Sequence, residues 1–275
     1  MSENLKFRLN IWTSEGFVNI LRHYASSILL VGAAEKAALK NGGAQLNRGG
    51  RPRTDMDLVV EALFYRLRNA GPWRDLPERF GPYSTIHGWH CRWAKEGLWA
   101  KILEVFARRV RGLVRLVDGT HILVHQCAAN PAGGATRQAM GKTRGGRNTK
   151  LMALCDARGR LVSAALIEGQ AYEGHHVANL IKQGCNLHIV GDKGFDDDKL
   201  RATLRAMGHR TSFPGKINRK RKVRYNKKLY RTRYRVENFF CRLKRWGSTA
   251  TRRDKLAQNF LSLINFAAVI DWLRS

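Results

Sequence analysis

The stretch RYNKKLYRTRYRVENFFCRLKRW, residues 224–246, decides how the rest of the chain is read. Its Tyr230, Arg233, Glu237 and Lys244 stand at offsets 0, 3, 7 and 14. At about 100° per residue, these offsets predict a helix that gathers all four within an arc of about 60°. One face then carries a phenol, a guanidinium, a carboxylate and an ammonium. A second stripe, Val236, Phe239, Phe240 and Leu243, keeps the i, i+3, i+4, i+7 spacing of a surface turned to a core. The helix buries one side and presents a single acid among cations on another. A lone glutamate in so basic a segment is equally compatible with a surface ion pair, so its meaning depends on the other acids in the chain.

Two acids stand at the ends of apolar runs. Leu113–Val117 leads into Asp118-Gly119-Thr120, and Leu187–Val190 leads into Gly191-Asp192-Lys193-Gly194. An Asp beside Gly is, taken singly, ordinary turn chemistry. Together with Glu237 the pair reads differently: a strand Asp, a second strand Asp and a helix Glu are the constellation of a ribonuclease-H-like fold. The acids lie 74 and 45 residues apart in sequence, room enough for a hairpin and helices between them. Three converging carboxylates repel one another and require positive charge among them. Two Mg²⁺ (or Mn²⁺) ions with oxygen ligands answer that need, with Asp118, Asp192 and Glu237 as metal ligands. Asp196, Asp197 and Asp198 are competing acids, better placed to cap a helix beginning near Lys199.

The composition sets the partner. Fifty Lys and Arg against 21 Asp and Glu give a net charge of +29 over 275 residues, which calls for a polyanion. With 44% hydrophobic residues, the chain is too rich in core material for a disordered basic tail. The five cysteines, Cys91, Cys127, Cys155, Cys185 and Cys241, form no C-x-x-C pair, which points to reduced thiols rather than a zinc site or disulfide frame. The run Ile28–Val31 is far too short for a membrane span, and no signal peptide fits.

Residues 1–47 read as a loosely attached lead-in. From residue 48 a basic arm, Arg48-Gly-Gly-Arg51-Pro-Arg53, precedes a helix that Thr54 or Asp55 can cap, with Val59, Val60, Leu63, Phe64 and Leu67 apolar. Gly71-Pro72 stops it. A second helix is expected from Ser84 to about Lys95, with Ile86, Trp89 and Trp93 inward and His87, Arg92 and Lys95 outward. A third follows Gly97, from Leu98 to about Val110. Residues 48–110 thus suit a helix-turn-helix-like DNA-binding module, with a small bundle bearing a solvated basic face as the alternative.

Residues 111–275 alternate strand-like and helical runs, an α/β pattern. Ile122–His125 continues the first strand region as a possible second strand, and residues 127–149 lack periodicity and read as a mobile basic loop suited to phosphates, with Arg144 and Lys150 as contacts. Leu151–Cys155 and Leu161–Ile167 flank Asp156-Ala157-Arg158-Gly159 as a hairpin. Short helices are expected over 177–182 and 200–207, a strand over 210–213, and an apolar closing helix from about Asp254 to Leu273.

These motifs resemble a known family. Tyr-(2)-Arg-(3)-Glu-(6)-Lys is similar to the signature of DDE transposases of bacterial insertion-sequence families four and five. Val117-Asp118-Gly119-Thr120, the stretch from Arg144 to Lys150, Gly169-Gln170, Gly191–Phe195 and the run 234–240 resemble family five in particular. So do Ala70–Pro77 upstream and Lys255-Leu256-Ala257 with Asn259-Phe260 downstream. The resemblance implies a ribonuclease-H-like catalytic domain that cleaves the ends of an insertion sequence and transfers the strands with divalent metal. Asp118, Asp192 and Glu237 fall on the DDE triad. Tyr230, Arg233 and Lys244 fall on the remaining signature positions, where contact with terminal phosphates is expected. The implied partner is double-stranded DNA, terminal repeats and target, bound by a homodimer or higher oligomer in the cytoplasm at the nucleoid. A metal-dependent nuclease of the same fold, or a decayed transposase acting as a DNA-binding protein, accounts for parts of this pattern.

Overall fold

The computed structural model describes residues 54–181 and 186–275. They fall into two compact units. One takes in the described residues up to Arg66 together with Gly71–Arg92; the other takes in Leu67–Ala70 and Trp93–Leu273. The arm residues Arg48, Arg51 and Arg53 lie outside the described residues.

The smaller unit is built on two helices, α1 (Met56–Asn69) and α2 (Tyr83–Glu96). The Asp55 carboxylate accepts the Asp57 N–H at 2.9 Å, an N-terminal cap of the expected kind. Between the helices, a short 3₁₀ turn places Trp73 against His87 and His90, ring centroids 4.9 and 5.2 Å away. The Arg66 guanidinium lies 4.1 Å from the Trp73 ring centre. On α2 the buried residues are Ile86, His90 and Trp93, while Trp89 is half-exposed. The inward stripe therefore runs i, i+4, i+7 rather than through Trp89, because Trp73 covers the His90 side. Ser84 lies inside the helix, which already begins at Tyr83.

The larger unit is a mixed sheet with helices against it. Helix α3 (Leu98–Arg108) begins after Gly97, held at φ 67°. It buries Trp99, Ile102, Leu103 and Phe106, with Trp99 against Phe266 at 4.5 Å and Phe106 stacked on Trp272 at 5.7 Å. Its packing thus belongs to the sheet unit, although sequence grouped it with the two preceding helices.

The sheet is organised on β1 (Val114–Val124), a single eleven-residue strand running straight through Asp118-Gly119-Thr120. It pairs antiparallel with β3 (Gly146–Asp156), Asp118 opposite Ala153. The short β2 (Gly141–Thr143) and then β4 (Leu161–Glu168) line the far side of β3. On the other flank of β1, β5 (His188–Val190) pairs in parallel with Val114–Leu116, and β6 (Arg210–Ser212) continues outward from β5. The two-residue β7 (Thr251–Arg252) pairs with Leu123 and Val124. Among the described residues, no strand pairs with that flank of β1 from Val117 to Ile122.

The hairpin β3–β4 forms where alternating apolar runs meet a turn that its own acid ties off. The Asp156 carboxylate accepts the Arg158 and Arg160 N–H groups, both at 2.9 Å, and the Arg160 side chain at 2.8 and 2.6 Å. Gly159 needs its hydrogen twice over: φ is 80°, and a Cβ would lie 2.5 Å from the Arg235 carbonyl. Helices α4 (Gly174–Leu180) and α5 (Asp198–Ala206) contribute Val177, Leu180, Leu200 and Leu204 to one core with Val117, Met152, Leu154, Ile189 and Phe213. Asp197 caps α5, accepting Lys199 N–H at 2.8 Å.

Residues 227–244 are not one helix. Asn226 caps a single turn α6 (Lys227–Tyr230), a 3₁₀ turn spans Arg231–Arg233, and α7 (Tyr234–Lys244) follows. The tighter turn shifts the phase between Tyr230 and the rest, yet Val236, Phe239, Phe240 and Leu243 are all buried. After the single turn α8 (Gly247–Ala250), the long α9 (Ala257–Arg274) is buried nearly all round. Residues 127–149 do not form a structureless loop either: they hold β2 and the start of β3. Arg252, fully buried, pins them, donating to Gln138 O at 2.8 Å and Thr149 Oγ1 at 2.6 Å.

Candidate active site

Arg233 joins two of the predicted acids, Asp118 and Glu237, and the third, Asp192, acts on Asp118 through its charge. Asp118 sits in the middle of β1, where its carboxylate accepts its neighbour's amide, Gly119 N–H, at 2.9 Å. Its other oxygen accepts Arg233 Nη1 at 2.9 Å. Arg233 turns its second nitrogen, Nη2, to Glu237 Oε1. One guanidinium therefore spans the strand acid and the helix acid, a fork geometry that arginine provides and lysine does not. Glu237 lies in the first turn of α7, where the helix's positive end favours a carboxylate.

Asp192 follows β5 and accepts Gly194 N–H at 2.7 Å, opening a 3₁₀ turn over Lys193–Phe195. That is the turn chemistry expected of an Asp beside Gly, and the acid's charge still bears on Asp118. Burial, first of all, pushes the Asp118 carboxyl up to about 6; the Gly119 amide and Arg233 oppose this, and the charges of Asp192 and Glu173 add to it. Among the described residues no three His, Cys, Asp or Glu side chains are grouped as a ready metal-ligand set. The cation found between two of the acids is Arg233.

Glu173 was not legible in the sequence. It stands at the start of α4, and its carboxyl carbon lies 2.7 Å from where a Cβ on residue 119 would be. A side chain at 119 would make the Glu173 carboxylate shift. Lys150 holds it from β3, Nζ to Oε1 at 3.2 Å, and also donates to Ala171 O at 2.9 Å. Lys150 is thus buried and committed inside the unit, a correction to its reading as a phosphate contact; its position in the fully paired part of β3 turns it inward. Arg144, by contrast, is exposed at the β2–β3 turn.

The remaining signature residues flank the acids. Lys244 Nζ donates to Thr120 Oγ1 at 2.7 Å and His121 O at 3.1 Å on β1. Its burial lowers its pKa. Tyr230 is half-buried with its ring edge-on to Tyr225 at 5.6 Å. Of the α2 residues, Arg92 and Lys95 are exposed, whereas His87 is half-buried against Trp73 and is a packing residue first.

Next to Asp192 lies a fourth arrangement of charge. Asp196, with only 1% of its side chain exposed, accepts Arg201 Nη2 at 2.8 Å, Arg219 Nη1 at 2.9 Å and Lys216 N–H at 2.7 Å. A hollow of about 600 Å³ opens between Asp192 and this tied loop.

Comparison with known proteins places these features. A family model described as "Transposase DDE domain" matches residues 111–272, more than half of the chain, and one described as "Putative transposase of IS4/5 family" matches residues 36–103. The "Putative transposase for insertion sequence element IS6501" of Brucella ovis is 29% identical over 130 residues, covering 46% of this chain and 98% of that protein. The uncharacterized protein y4sN of Sinorhizobium fredii is 39% identical over 88 residues, 32% of this chain and 69% of its own. Among solved structures, the piggyBac transposase in a synaptic complex with hairpin DNA aligns at TM-score 0.50 and 11% identity, over 86% of this chain and 70% of that one. The antiparallel β4-β3-β1 group continued by parallel β5 and β6 is a ribonuclease-H-like sheet. The chain belongs to the DDE transposase family, as the signature at 230–244 implied. It is an insertion-sequence transposase, an enzyme of DNA cleavage and strand transfer. No helix of the described residues is long and apolar enough to cross a membrane.

Proposed function

We propose that Asp118, Asp192 and Glu237 are the three acids of the cutting centre, and that Tyr230 and Arg233 engage phosphates at the element's ends, with Lys244 alongside. The observation that carries this reading is the Arg233 fork, which joins Asp118 on the central strand to Glu237 on α7. The donor set is all oxygen, which suits Mg²⁺ or Mn²⁺. The raised Asp118 carboxyl, and a guanidinium recruited between two acids, support a site that needs positive charge. Asp118, Asp192 and Glu237 would hold two ions. Bound divalent ions supply the charge that favours deprotonation of an attacking water or 3′-hydroxyl and stabilises the leaving 3′-oxygen.

The protein's own residues prepare that step. The Gly119 amide fixes the aim of Asp118, and the Gly194 amide fixes Asp192. Lys244 braces β1 beside the acids through Thr120 and His121. Sequence reading of the ends falls to residues 48–110, through the arm residues Arg48, Arg51 and Arg53, with Arg92 and Lys95 exposed on α2 and Arg144 exposed on the sheet unit. The enzyme acts on double-stranded DNA in the cytoplasm at the nucleoid, as a dimer or larger assembly; the synaptic complex of its piggyBac neighbour supports an oligomer on DNA.

Glu237→Gln tests the reading. It keeps the shape and removes one negative charge, so Mg²⁺-dependent cutting of an end-containing duplex falls by orders of magnitude while gel-shift affinity holds or tightens. Manganese binding followed by calorimetry weakens in parallel. A variant that cuts as fast as its parent overturns the assignment, because a bystander surface acid is the residue that behaves so.

A further inference from the structure

We propose that Ile217 is a wedge that enters the DNA duplex beside the cutting centre and unstacks a base step there. The inference rests on the reading that Asp192 belongs to that centre. Ile217 is 93% exposed, far more than the other large apolar side chains left at the surface, such as Leu113 and Leu123 at 56% each. Singly exposed aliphatics are common and need no explanation by themselves. This one differs in how it is held, where it stands and what surrounds it.

It is held rigidly. Arg219 N–H donates to Lys216 O at 3.1 Å, closing a turn with Ile217 and Asn218 at its tip. Both ends of that turn are tied to one buried carboxylate: Lys216 N–H to Asp196 Oδ2 at 2.7 Å, and Arg219 Nη1 to Asp196 Oδ1 at 2.9 Å. Arg219 also pairs with Asp198. A side chain fixed in solvent by a buried ion-pair hub forgoes the stabilisation that burial gives an isoleucine, and the anchoring preorganises it for a partner.

It stands at the candidate centre and in cationic company. Ile217 and Asp192 line the same hollow of about 600 Å³. Residues 216–222, KINRKRK, carry five cations in seven positions. A protein partner needs an extended apolar patch of several hundred Å² per side, and one aliphatic among five cations offers none. A duplex fits both features at once: phosphates take the cations, and an aliphatic side chain slides between base pairs, opening the step as apolar wedges do in bent complexes. A distorted step beside the scissile phosphate frees the strand to reach the acids.

The test uses the full chain and a duplex carrying the terminal repeat that brackets the gene, with 2-aminopurine placed on either side of the cut. Binding of the parent raises 2-aminopurine fluorescence. Ile217→Ala loses that rise while gel-shift affinity stays within about twofold, because every cation remains. Ile217→Phe keeps the rise. Cutting by Ile217→Ala slows roughly tenfold or more on paired duplex and recovers on a duplex mismatched at that step, which is already unstacked. An unchanged fluorescence rise with Ile217→Ala, or slowed cutting that the mismatch does not rescue, overturns the wedge. Either result leaves the cutting centre standing, since that depends on whether the parent cuts and Glu237→Gln does not.

Discussion

Asp118 and Asp196 are both partly or fully buried aspartates facing arginine, and the fold treats them in opposite ways. Burial pushes both carboxyls up. At Asp196 three donors, the Lys216 amide, Arg201 and Arg219, more than reverse it and hold the carboxyl below its ordinary range. At Asp118 the Gly119 amide and Arg233 do not suffice, and the nearby charges of Asp192 and Glu173 help bring it to about 6. One acid is satisfied and structural. The other is left short of positive charge at the proposed cutting centre, and a shortage of that kind marks a functional site better than the mere presence of an acid.

Substitution separates the two acids most widely in the chemistry. Asp118→Asn is expected to reduce Mg²⁺-dependent cutting of an end-containing duplex roughly a thousandfold or more, with manganese binding lost in calorimetry and the fold intact by circular dichroism. If Asp118→Asn cuts normally, the contrast drawn here collapses.

Stability should reverse the order. Asp196→Ala leaves Arg201 buried without its carboxylate, and breaking a buried pair by removing one partner costs about 3–5 kcal/mol. Urea unfolding reads this directly, and the same variant should still bind manganese. A loss below about 1 kcal/mol would mean that Asp196 is not the hub its hydrogen bonds describe.

The smallest effect is the most specific. The folded Asp118 carboxyl titrates near 6, above its ordinary 3.8, so the folded state holds the proton more tightly than the unfolded chain does. The associated stability is fully present below pH 3.8 and is lost as pH rises through about 6. Asp118→Asn never takes that charge. In metal-free buffer it should be more stable than the parent by about 1–3 kcal/mol at pH 8 and show no such gain at pH 4. Paired urea titrations at the two pH values check the sign; a constant difference would remove burial as the cause.

Much of this was legible in the residues. The β3–β4 hairpin follows from two apolar runs around Asp156–Gly159, and the core face of α7 from its 3.6-residue period. The Asp197 cap and the strand-end position of Asp192 follow from local turn chemistry. Other features depend on partners distant in sequence. Gly119 suggested the end of a strand, whereas β1 runs on through it, and the Glu173 carboxylate, from more than fifty positions away, lies against the glycine. Residues 127–149 look aperiodic because β2 is only three residues long and Arg252, from the C-terminal part, ties the connection down. Lys150 looks like a phosphate contact until Glu173 is placed beside it. The 3₁₀ turn at Arg231–Arg233 gives no periodic signal, so the single arc expected for Tyr230 through Lys244 is broken, while the i, i+4 pair Arg233–Glu237 survives.

Among the described residues, no strand pairs with one flank of the middle of β1, which offers a spectroscopic gauge of the strand. A central strand ordinarily spends its amides on the strands beside it, and their signals then report little except global unfolding. The Gly119 amide instead donates to the carboxylate of the residue before it. A change that drew Asp118 Oδ1 away would take that acceptor from the amide, and the Gly119 proton shift and its exchange with solvent would then report on the acid one residue away.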